Sequence, residues 1–264
     1  MPIILKSRRE IEMMRRTGKA AHAILAKMEA AVVPGVTTHA LNEIARVEVE
    51  ILGAVATSKN YPTYKAGEGY PSETCISVND EVVHGIPGGR TLKEGDIVSL
   101  DLAIKWQGYC ADTAITVAVG KTTPANDKLL DTTKKTLDLA LRLIRPGVKW
   151  SEVARQMQRM VESNGFAVVR EFVGHGVGRS MHEDPKVANF VTAEQLRHDF
   201  KLRAGMTFAV EPMVVAGRRD VRVLEDNWTV VTEDGRSACH FEHTIAVTEN
   251  GADVLTDGRE PWGL

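Results

Sequence analysis

Four carboxylates and one histidine lie in short motifs whose residue types suit a metal centre. Carboxylate oxygens and an imidazole nitrogen together form an oxygen-rich ligand set for divalent cations. A protein gathers this many acidic groups at one place only where cations offset their charge. The sequence therefore predicts a site for two divalent metal ions. Its predicted ligands are Asp101, Asp112, His175, Glu211 and Glu242.

The first two carboxylates lie on alternating apolar segments that flank the predicted hairpin turn 105–108. A two-residue loop at Trp106 and Gln107 would place Asp101 directly opposite Asp112, on the same, less apolar face. Their Cβ atoms would then be ~4.5–5.5 Å apart, a pairing that destabilises a sheet when both groups are charged. This pairing favours a bound cation. Two unrelated aspartates on a solvated hairpin face are the alternative interpretation.

Motifs recur at a nearly constant offset along the chain. Pro34-Gly35-Val36 returns at 146–148, and at nearly the same offset Asp101 falls on Glu211. The repeat predicts two halves, each made of two helices and a hairpin, around a pseudo-two-fold axis. We place these halves at about 7–120 and 126–250, within a single catalytic domain of residues 1–264.

The coarse secondary structure agrees with this repeat. Runs of strands separated by helix pairs are typical of an α+β domain with a mixed or antiparallel sheet. The capping box of Ser7 and Glu10 predicts the start of the first helix. The predicted helices run to about Ala31, from Thr38 to before Gly53, from Asn126 to Arg145 and from Ser151 to Asn164, and the predicted strands cover 97–104, 109–119, 206–215, 227–232 and 239–248.

Composition limits the class of protein and its compartment. The chain has 264 residues and a net charge of −2, which gives no overall nucleic-acid footprint. Three cysteines argue against a disulfide framework and fit a reducing compartment. The sequence has neither a signal-peptide pattern nor a run long enough to span a bilayer. A cytoplasmic protein without membrane contact is expected.

The N-terminal helix carries a cluster of basic residues. Such a cluster is usually a solvated face, and a contact with the ribosome or RNA is the alternative. The cluster consists of Lys6, Arg8, Arg9, Arg15, Arg16 and Lys19.

Three histidines share glycine-rich settings. Gly174 and Gly176 flank His175, and a glycine follows His84 directly. Such glycines let the backbone turn tightly and approach a ligand. His182 follows the same loop and is predicted to reach the same cavity. These residues therefore join the list of candidate site residues.

Taken together, these motifs resemble the methionine aminopeptidases of the type I class. The resemblance covers nearly the whole chain, in the right order and spacing. It implies the pita-bread fold, an α+β fold with a curved antiparallel sheet whose pseudo-two-fold symmetry suits the repeat. The motifs that carry it are Cys75-Ile76-Ser77-Val78-Asn79, His84-Gly85-Ile86-Pro87, Gly174-His175-Gly176, Val210-Glu211-Pro212-Met213 and Phe241-Glu242-His243-Thr244, with Asp101 and Asp112.

The resemblance implies a role for each metal ligand. Asp101 would bind one ion, Asp112 and Glu242 would bridge both, and His175 and Glu211 would complete the second ion's shell. A metal-bridging hydroxide would then attack the peptide carbonyl. The ligand set suits iron, manganese or cobalt better than a structural zinc site, although zinc is a further candidate.

Three residues would act on the substrate. Glu211 would pass a proton to the leaving amine. His182 would hydrogen-bond the scissile carbonyl, and His84 would bind the peptide beyond it. The resemblance also implies a methionine pocket, in which Gly67 stands where relatives usually carry an aromatic residue; Tyr64 or Tyr61 would fill the gap. The predicted pocket residues are Tyr70, Cys75, His84, Met181 and Trp228.

The implied activity is hydrolytic removal of the N-terminal methionine from nascent proteins and peptides with a small second residue. We expect a monomer, and a transient ribosome contact through the basic cluster stays an alternative. A proline-specific peptidase on the same fold, such as aminopeptidase P or prolidase, is the nearest enzymatic alternative. A protein that has lost catalysis and serves as a binding module is the other.

Overall fold

The structure is a computed structural model that describes residues 2–62 and 69–259. Within these residues the helices are α1 (Arg8–Ala30), α2 (Thr38–Leu52), α3 (Pro124–Leu143), α4 (Trp150–Ser163) and α5 (Ala193–Arg197). The strands are β1 (Val55–Ala56), β2 (Cys75–Val78), β3 (Glu81–Val83), β4 (Ile97–Trp106), β5 (Tyr109–Ala118), β6 (Ala167–Val168), β7 (Gly174–Gly176), β8 (Glu183–Val187), β9 (Thr207–Val210), β10 (Met213–Val215), β11 (Val221–Val223), β12 (Val230–Thr232), β13 (Ala238–His240), β14 (Glu242–Thr248) and β15 (Gly251–Val254).

Local sequence signals determine where the helices begin and end. The Ser7 side chain accepts a hydrogen bond from the Glu10 N–H, and the Glu10 carboxylate accepts one from the Ser7 N–H. The predicted capping box is therefore confirmed. Helix α2 ends at Gly53 in the left-handed conformation that glycine tolerates. Helix α3 begins at Pro124, two residues before the predicted start, because proline is favoured in the first turn.

One antiparallel sheet carries most of the long strands. Its nine strands follow the order β1-β4-β5-β14-β9-β7-β8, with β2 beside β4 and β15 beside β14. Two smaller sheets, β13-β10-β6 and β11-β12-β3, complete the described part of the chain. Because β14 pairs with both β5 and β9, the large sheet is continuous between the two predicted halves.

The helices pack in pairs against one face of this sheet. Helices α1 and α2 cover a core that contains Leu100 and Leu102 of β4. Helices α3 and α4 cover a second core that contains Phe208 of β9 and Ile245 of β14. Since side chains alternate along a strand, Asp101 lies on the opposite face of the sheet, away from these helices.

The predicted repeat is visible in the backbone hydrogen bonds. The Gly35 N–H donates to the Leu92 carbonyl at 2.8 Å, and the Gly147 N–H donates to the Leu202 carbonyl at 2.8 Å. In each half this bond fixes the turn between two helices to the segment before a central strand. The two halves therefore present their acidic strands in the same way.

The β4–β5 hairpin differs from the prediction. Its loop is Gln107 and Gly108, with φ of 49° and 86°, the two positive values that a type I′ turn requires. Asp101 therefore pairs with Ala114, and Asp112 pairs with Ala103. The predicted direct pairing of the two aspartates is wrong. The register is shifted by two residues, and an even shift keeps both side chains on one face as diagonal neighbours.

Two strands predicted as continuous are broken at acidic residues. The predicted strand 206–215 is divided into β9 and β10 by Glu211-Pro212, since proline cannot donate to the ladder. The predicted strand 239–248 is divided into β13 and β14 at Phe241. Both breaks lie beside predicted metal ligands.

The basic cluster of the first helix is not a single solvated face. Arg8, Arg9 and Arg16 are exposed, but Lys6 and Arg15 are buried. Lys6 pairs with Glu183 and Arg15 with Asp253, so these two cations have structural partners. Among the described residues, no helix is long and apolar enough to cross a membrane.

Candidate metal centre

The predicted acidic ligands lie on adjacent strands of the large sheet. Asp101 on β4 pairs with Ala114 on β5, which pairs with Glu242 on β14. Asp112 lies two residues along β5 from Ala114, on the same face. Glu211 follows Val210 at the end of β9. The sheet register therefore brings the carboxylates of both halves together.

Ligand atoms of three of these residues converge. One ligand atom each from Asp112, His175 and Glu242 lies within 4.8 Å of the others. The His175 Nε2 atom is 3.7 Å from Asp112 Oδ2 and 3.5 Å from Glu211 Oε1. The His175 Nδ1 atom is 3.1 Å from the Gly176 carbonyl oxygen, which directs Nε2 towards the carboxylates.

Two carboxylate oxygens in this group have unused hydrogen-bonding capacity. Asp112 Oδ1 and Glu242 Oε1 are buried without a hydrogen-bond partner among the described residues. A buried anionic oxygen without a partner is costly unless a proton or a cation satisfies it. The donor set, four carboxylates and a neutral imidazole, therefore fits divalent cations.

Burial raises the pKa of every carboxyl group in the centre. For Asp112 burial raises the pKa to about 6. For Asp101, Glu211 and Glu242 burial first, and the neighbouring carboxylates second, raise the pKa well above its ordinary value. Without a cation the centre would therefore take up protons near neutral pH, and a divalent cation would replace them.

The backbone of the ligands is held in place by side chains from other strands. The Thr244 hydroxyl accepts from the Asp112 N–H at 2.9 Å and donates to the Asp112 carbonyl at 2.8 Å. Asn189 donates from Nδ2 to the Glu211 carbonyl at 2.9 Å. These contacts fix the backbone of β5 at Asp112 and of the segment after β9 at Glu211.

The predicted histidines His182 and His84 lie beside the centre. The His182 ring lies 4.0 Å from the His175 ring and 5.2 Å from the Tyr61 ring, between centroids, although part of His182 is exposed. His84 has a φ of 60°, a strained conformation for a residue other than glycine, and its ring contacts Phe172 edge-on. Burial lowers the pKa of both histidines to about 4. A neighbouring histidine adds to the effect, His182 for His84 and His175 for His182. Both imidazoles are therefore neutral at pH 7.

The structure adds His240, which sequence reasoning missed. This residue is 2% exposed, and its Nε2 lies 3.7 Å from Glu211 Oε2. Burial, and then the neighbouring His84, lowers its pKa to about 3. A signal was present in the sequence, because His240 lies two residues before Glu242, and that spacing puts both side chains on one face of an extended segment.

Three of the predicted pocket residues lie together. The Tyr70 hydroxyl donates to the Gly85 carbonyl at 2.8 Å, and its ring meets Trp228 edge-on at 5.2 Å. Cys75 pairs with Asp101 on the neighbouring strand. Met181 lies elsewhere along the site, where its sulfur accepts from the Thr57 hydroxyl at 3.0 Å. Of the aromatic substitutes, Tyr61 contacts His182, while Gly67 and Tyr64 lie outside the described residues.

Comparison with known proteins agrees with this geometry. Residues 12–249 match the model of metallopeptidase family M24. Methionine aminopeptidase 1 of Bacillus subtilis (strain 168) is 42% identical over 254 residues, which cover 96% of this chain and 99% of that protein. The crystal structure of methionine aminopeptidase from Thermotoga maritima is 42% identical, with a TM-score of 0.91 over 97% of this chain and 99% of that one.

A more distant similarity concerns the fold alone. Prolidase from Pyrococcus furiosus has a TM-score of 0.77 at 19% identity, and this chain covers 66% of it. The predicted pita-bread fold, with its antiparallel sheet and two similar halves, is confirmed. The chain therefore belongs to the methionine aminopeptidases of metallopeptidase family M24.

Proposed function

We propose that this protein hydrolytically removes the N-terminal methionine from peptides and nascent proteins whose second residue is small. The observation that carries the proposal is the convergence of Asp112, His175 and Glu242, with two buried carboxylate oxygens that lack a partner. Such a group suits metal-assisted hydrolysis. Full-length similarity to methionine aminopeptidases supports the choice of methionine as the residue released.

Five residues would hold two divalent metal ions in this proposal: Asp101, Asp112, His175, Glu211 and Glu242. When bound, the ions supply a water molecule acidic enough to serve as the nucleophile near neutral pH. Iron, manganese or cobalt suits the carboxylate-rich set, and zinc is a further candidate. His175 can serve as a ligand at neutral pH because burial lowers its pKa and keeps the imidazole neutral.

The protein's own groups would manage the proton and the developing charge. The Glu211 carboxyl has a raised pKa and lies against His175, so it can carry a proton from the nucleophile to the leaving amine. His182 is a neutral imidazole at the rim of the centre, and its N–H would donate to the carbonyl oxygen as negative charge builds there. His84 would orient the peptide beyond the scissile bond.

The methionine side chain would bind beside Asp101. Tyr70 and Trp228 provide aromatic surface there, and a thioether packs well against rings and sulfur. Cys75 lies one strand away at the level of Asp101, and its thiol would add a soft contact. Met181 would contribute from the loop that carries His182.

The test measures release of free methionine from Met-Ala-Ser and Met-Lys-Ser. Metal-stripped protein is titrated with manganese, iron, cobalt or zinc, and Ala-Pro-Ser serves to detect a proline-specific peptidase. We expect metal-dependent cleavage of Met-Ala-Ser, little cleavage of Met-Lys-Ser and none of Ala-Pro-Ser. Calorimetric titration of the stripped protein should give two bound ions per chain.

Matched variants connect the activity to the centre. Glu211→Gln and His182→Asn should each lower kcat by about a hundredfold or more. His198→Asn is the control, because His198 is exposed at the end of α5. Folded, metal-loaded protein that releases no methionine would contradict the proposal and favour a binding module.

We further propose that the protein acts in the cytoplasm as a monomer, with a transient ribosome contact through exposed Arg8, Arg9 and Arg16 of α1. Free, buried cysteines at all three positions support a reducing compartment. Salt-sensitive co-sedimentation with ribosomes that is lost in the triple Arg→Gln variant would support the contact.

A further inference from the structure

An ion pair lies directly behind the loop that carries His182. The Lys6 Nζ atom is 2.6 Å from Glu183 Oε2, and the two side chains are only 5% and 13% exposed. Glu183 is the residue after His182 and the first residue of β8. The pair therefore links the N-terminal arm, residues 2–7, to Glu183, which is adjacent in sequence to the proposed oxyanion donor His182.

The Glu183 carboxylate organises the turn that precedes it. Its second oxygen, Oε1, accepts from the Ser180 N–H at 3.2 Å, and the Gly178 N–H donates to the Ser180 carbonyl at 3.1 Å. A Cβ atom on Gly178 would lie 2.4 Å from the Glu183 carboxylate and 2.6 Å from Lys6 Cε. The ion pair thus packs directly against the backbone at the start of the loop.

The Lys6 end of the pair is anchored as firmly as the Glu183 end. The Lys6 N–H donates to the Gly205 carbonyl at 2.7 Å, just before β9. Its ammonium group also donates to the Ile4 carbonyl at 3.3 Å. Ile3 packs against the core under α3 and α4. The N-terminal arm can therefore hold the Glu183 carboxylate in a fixed position through the Lys6 ammonium group.

A second link to the same loop is more exposed. Arg179 donates to the Tyr109 hydroxyl at 2.8 Å, and that hydroxyl donates to Glu10 of α1 at 3.1 Å. Because the Arg179 side chain is 68% exposed, this link is screened by solvent and holds the loop weakly. The buried pair is a stronger restraint than this link, and it acts beside the Cys110 N–H, which donates to the Gly178 carbonyl at 2.7 Å.

We propose that Lys6 and Glu183 are positioning residues for His182, so that the N-terminal arm forms part of the catalytic apparatus. A buried ion pair contributes little net stability compared with an apolar pair of the same size, so stability alone does not account for this one. The pair instead fixes the position of the turn 178–183 relative to the His175 side chain. This inference rests on the role of His182 in the proposed function.

The test compares Lys6→Met and Glu183→Gln with wild type. Both variants should lower kcat by about tenfold, because a displacement of about 1 Å costs one to two orders of magnitude. KM and the affinity for manganese should stay within about twofold of the wild-type values, since neither residue is proposed to bind the substrate or a metal ion. Lys6→Arg, which keeps the charge, should restore most of kcat.

Two further measurements separate positioning from general stability. The imidazole NMR signal of His182, assigned with His182→Asn, should shift in the metal-free Lys6→Met and Glu183→Gln proteins. The control is Arg15→Met with Asp253→Asn, which removes another buried ion pair of α1 away from this loop. The control should lose stability but keep kcat and the His182 signal. Where Lys6→Met does not fold, Lys6→Met with Glu183→Gln avoids an unpaired buried charge.

A folded variant with wild-type kcat and an unshifted His182 signal would overturn the inference. A wild-type protein without activity would instead contradict the proposed function. The NMR measurement on metal-free protein then still decides whether the ion pair positions His182.

Discussion

At the scale of single residues, the buried carboxyls make the metal-free protein sensitive to pH. Burial raises the pKa of Asp112 from 3.8 to about 6. A carboxyl with a raised pKa binds its proton more tightly in the folded state. Its unfavourable contribution to the free energy of unfolding is therefore absent below about pH 4 and grows as the pH rises to about 6.

Replacing Asp112 with Asn should remove this contribution. In the metal-free protein we expect Asp112→Asn to be more stable than wild type by about 3 kcal/mol at pH 7, and equally stable near pH 4. Urea unfolding at a series of pH values in EDTA measures the difference. Saturating manganese should reverse the order, because only wild type keeps the ligand. A pH-independent difference would contradict the shifted pKa.

The candidate site residues could be proposed from the sequence because their chemistry is local. Asp101, His175 and Glu211 each lie in a short motif whose residue types leave few alternatives. His240 was missed because a lone histidine carries little signal until its neighbours are known, and its contact with Glu211 joins two separate strands. Non-local contacts of this kind are set by sheet register, which the sequence constrains only weakly.

At the scale of elements, threonine hydroxyls join the two halves at the β5–β14 seam. β5 and β14 share only two residue pairs, Glu242 with Ala114 and His243 with Thr113. The Thr244 hydroxyl adds bonds to both the N–H and the carbonyl of Asp112. The same seam carries Asp112 and Glu242, two of the proposed metal ligands, so its geometry affects both folding and the site.

We expect Thr244→Val to destabilise the protein by roughly 2–4 kcal/mol, because two buried backbone groups lose their partner. The affinity for manganese should also fall, since Asp112 is no longer held. Thr133→Val is the matched control: Thr133 is equally buried, but its hydroxyl donates to a carbonyl within its own helix, that of Leu129 in α3, and holds no proposed ligand. Thermal unfolding measures the loss of stability in both variants. Equal losses would contradict a special stabilising role for the Thr244 hydrogen bonds at the β5–β14 seam.

Elements were predictable where a local rule determines them. The capping side chain of Ser7 marks the start of α1, and Gly53, with its left-handed backbone conformation, marks the end of α2. The hairpin loop was placed one residue early, because a glutamine with positive φ at Gln107 is not suggested by its residue type. The strand break at Glu211-Pro212 could have been predicted, since proline cannot continue a central ladder.

At the scale of the whole molecule, both halves contribute proposed metal ligands to one centre. Asp101 and Asp112 come from the first half, and His175, Glu211 and Glu242 come from the second. Binding of cations by these residues would stabilise the arrangement of the halves relative to each other. The continuous sheet through β14 connects the halves in the same way.

We therefore expect the chain to unfold as a single domain. Calorimetry in EDTA should show one transition whose calorimetric and van't Hoff enthalpies agree, and manganese at about 100 times its Kd should stabilise the fold by about 2.7 kcal/mol for each bound ion. A fragment of residues 2–120 should not fold alone, because β5 would expose its edge and two unneutralised aspartates. Two transitions, only one of them moved by manganese, would show instead that the halves are separate domains and that one half binds the ions without the other.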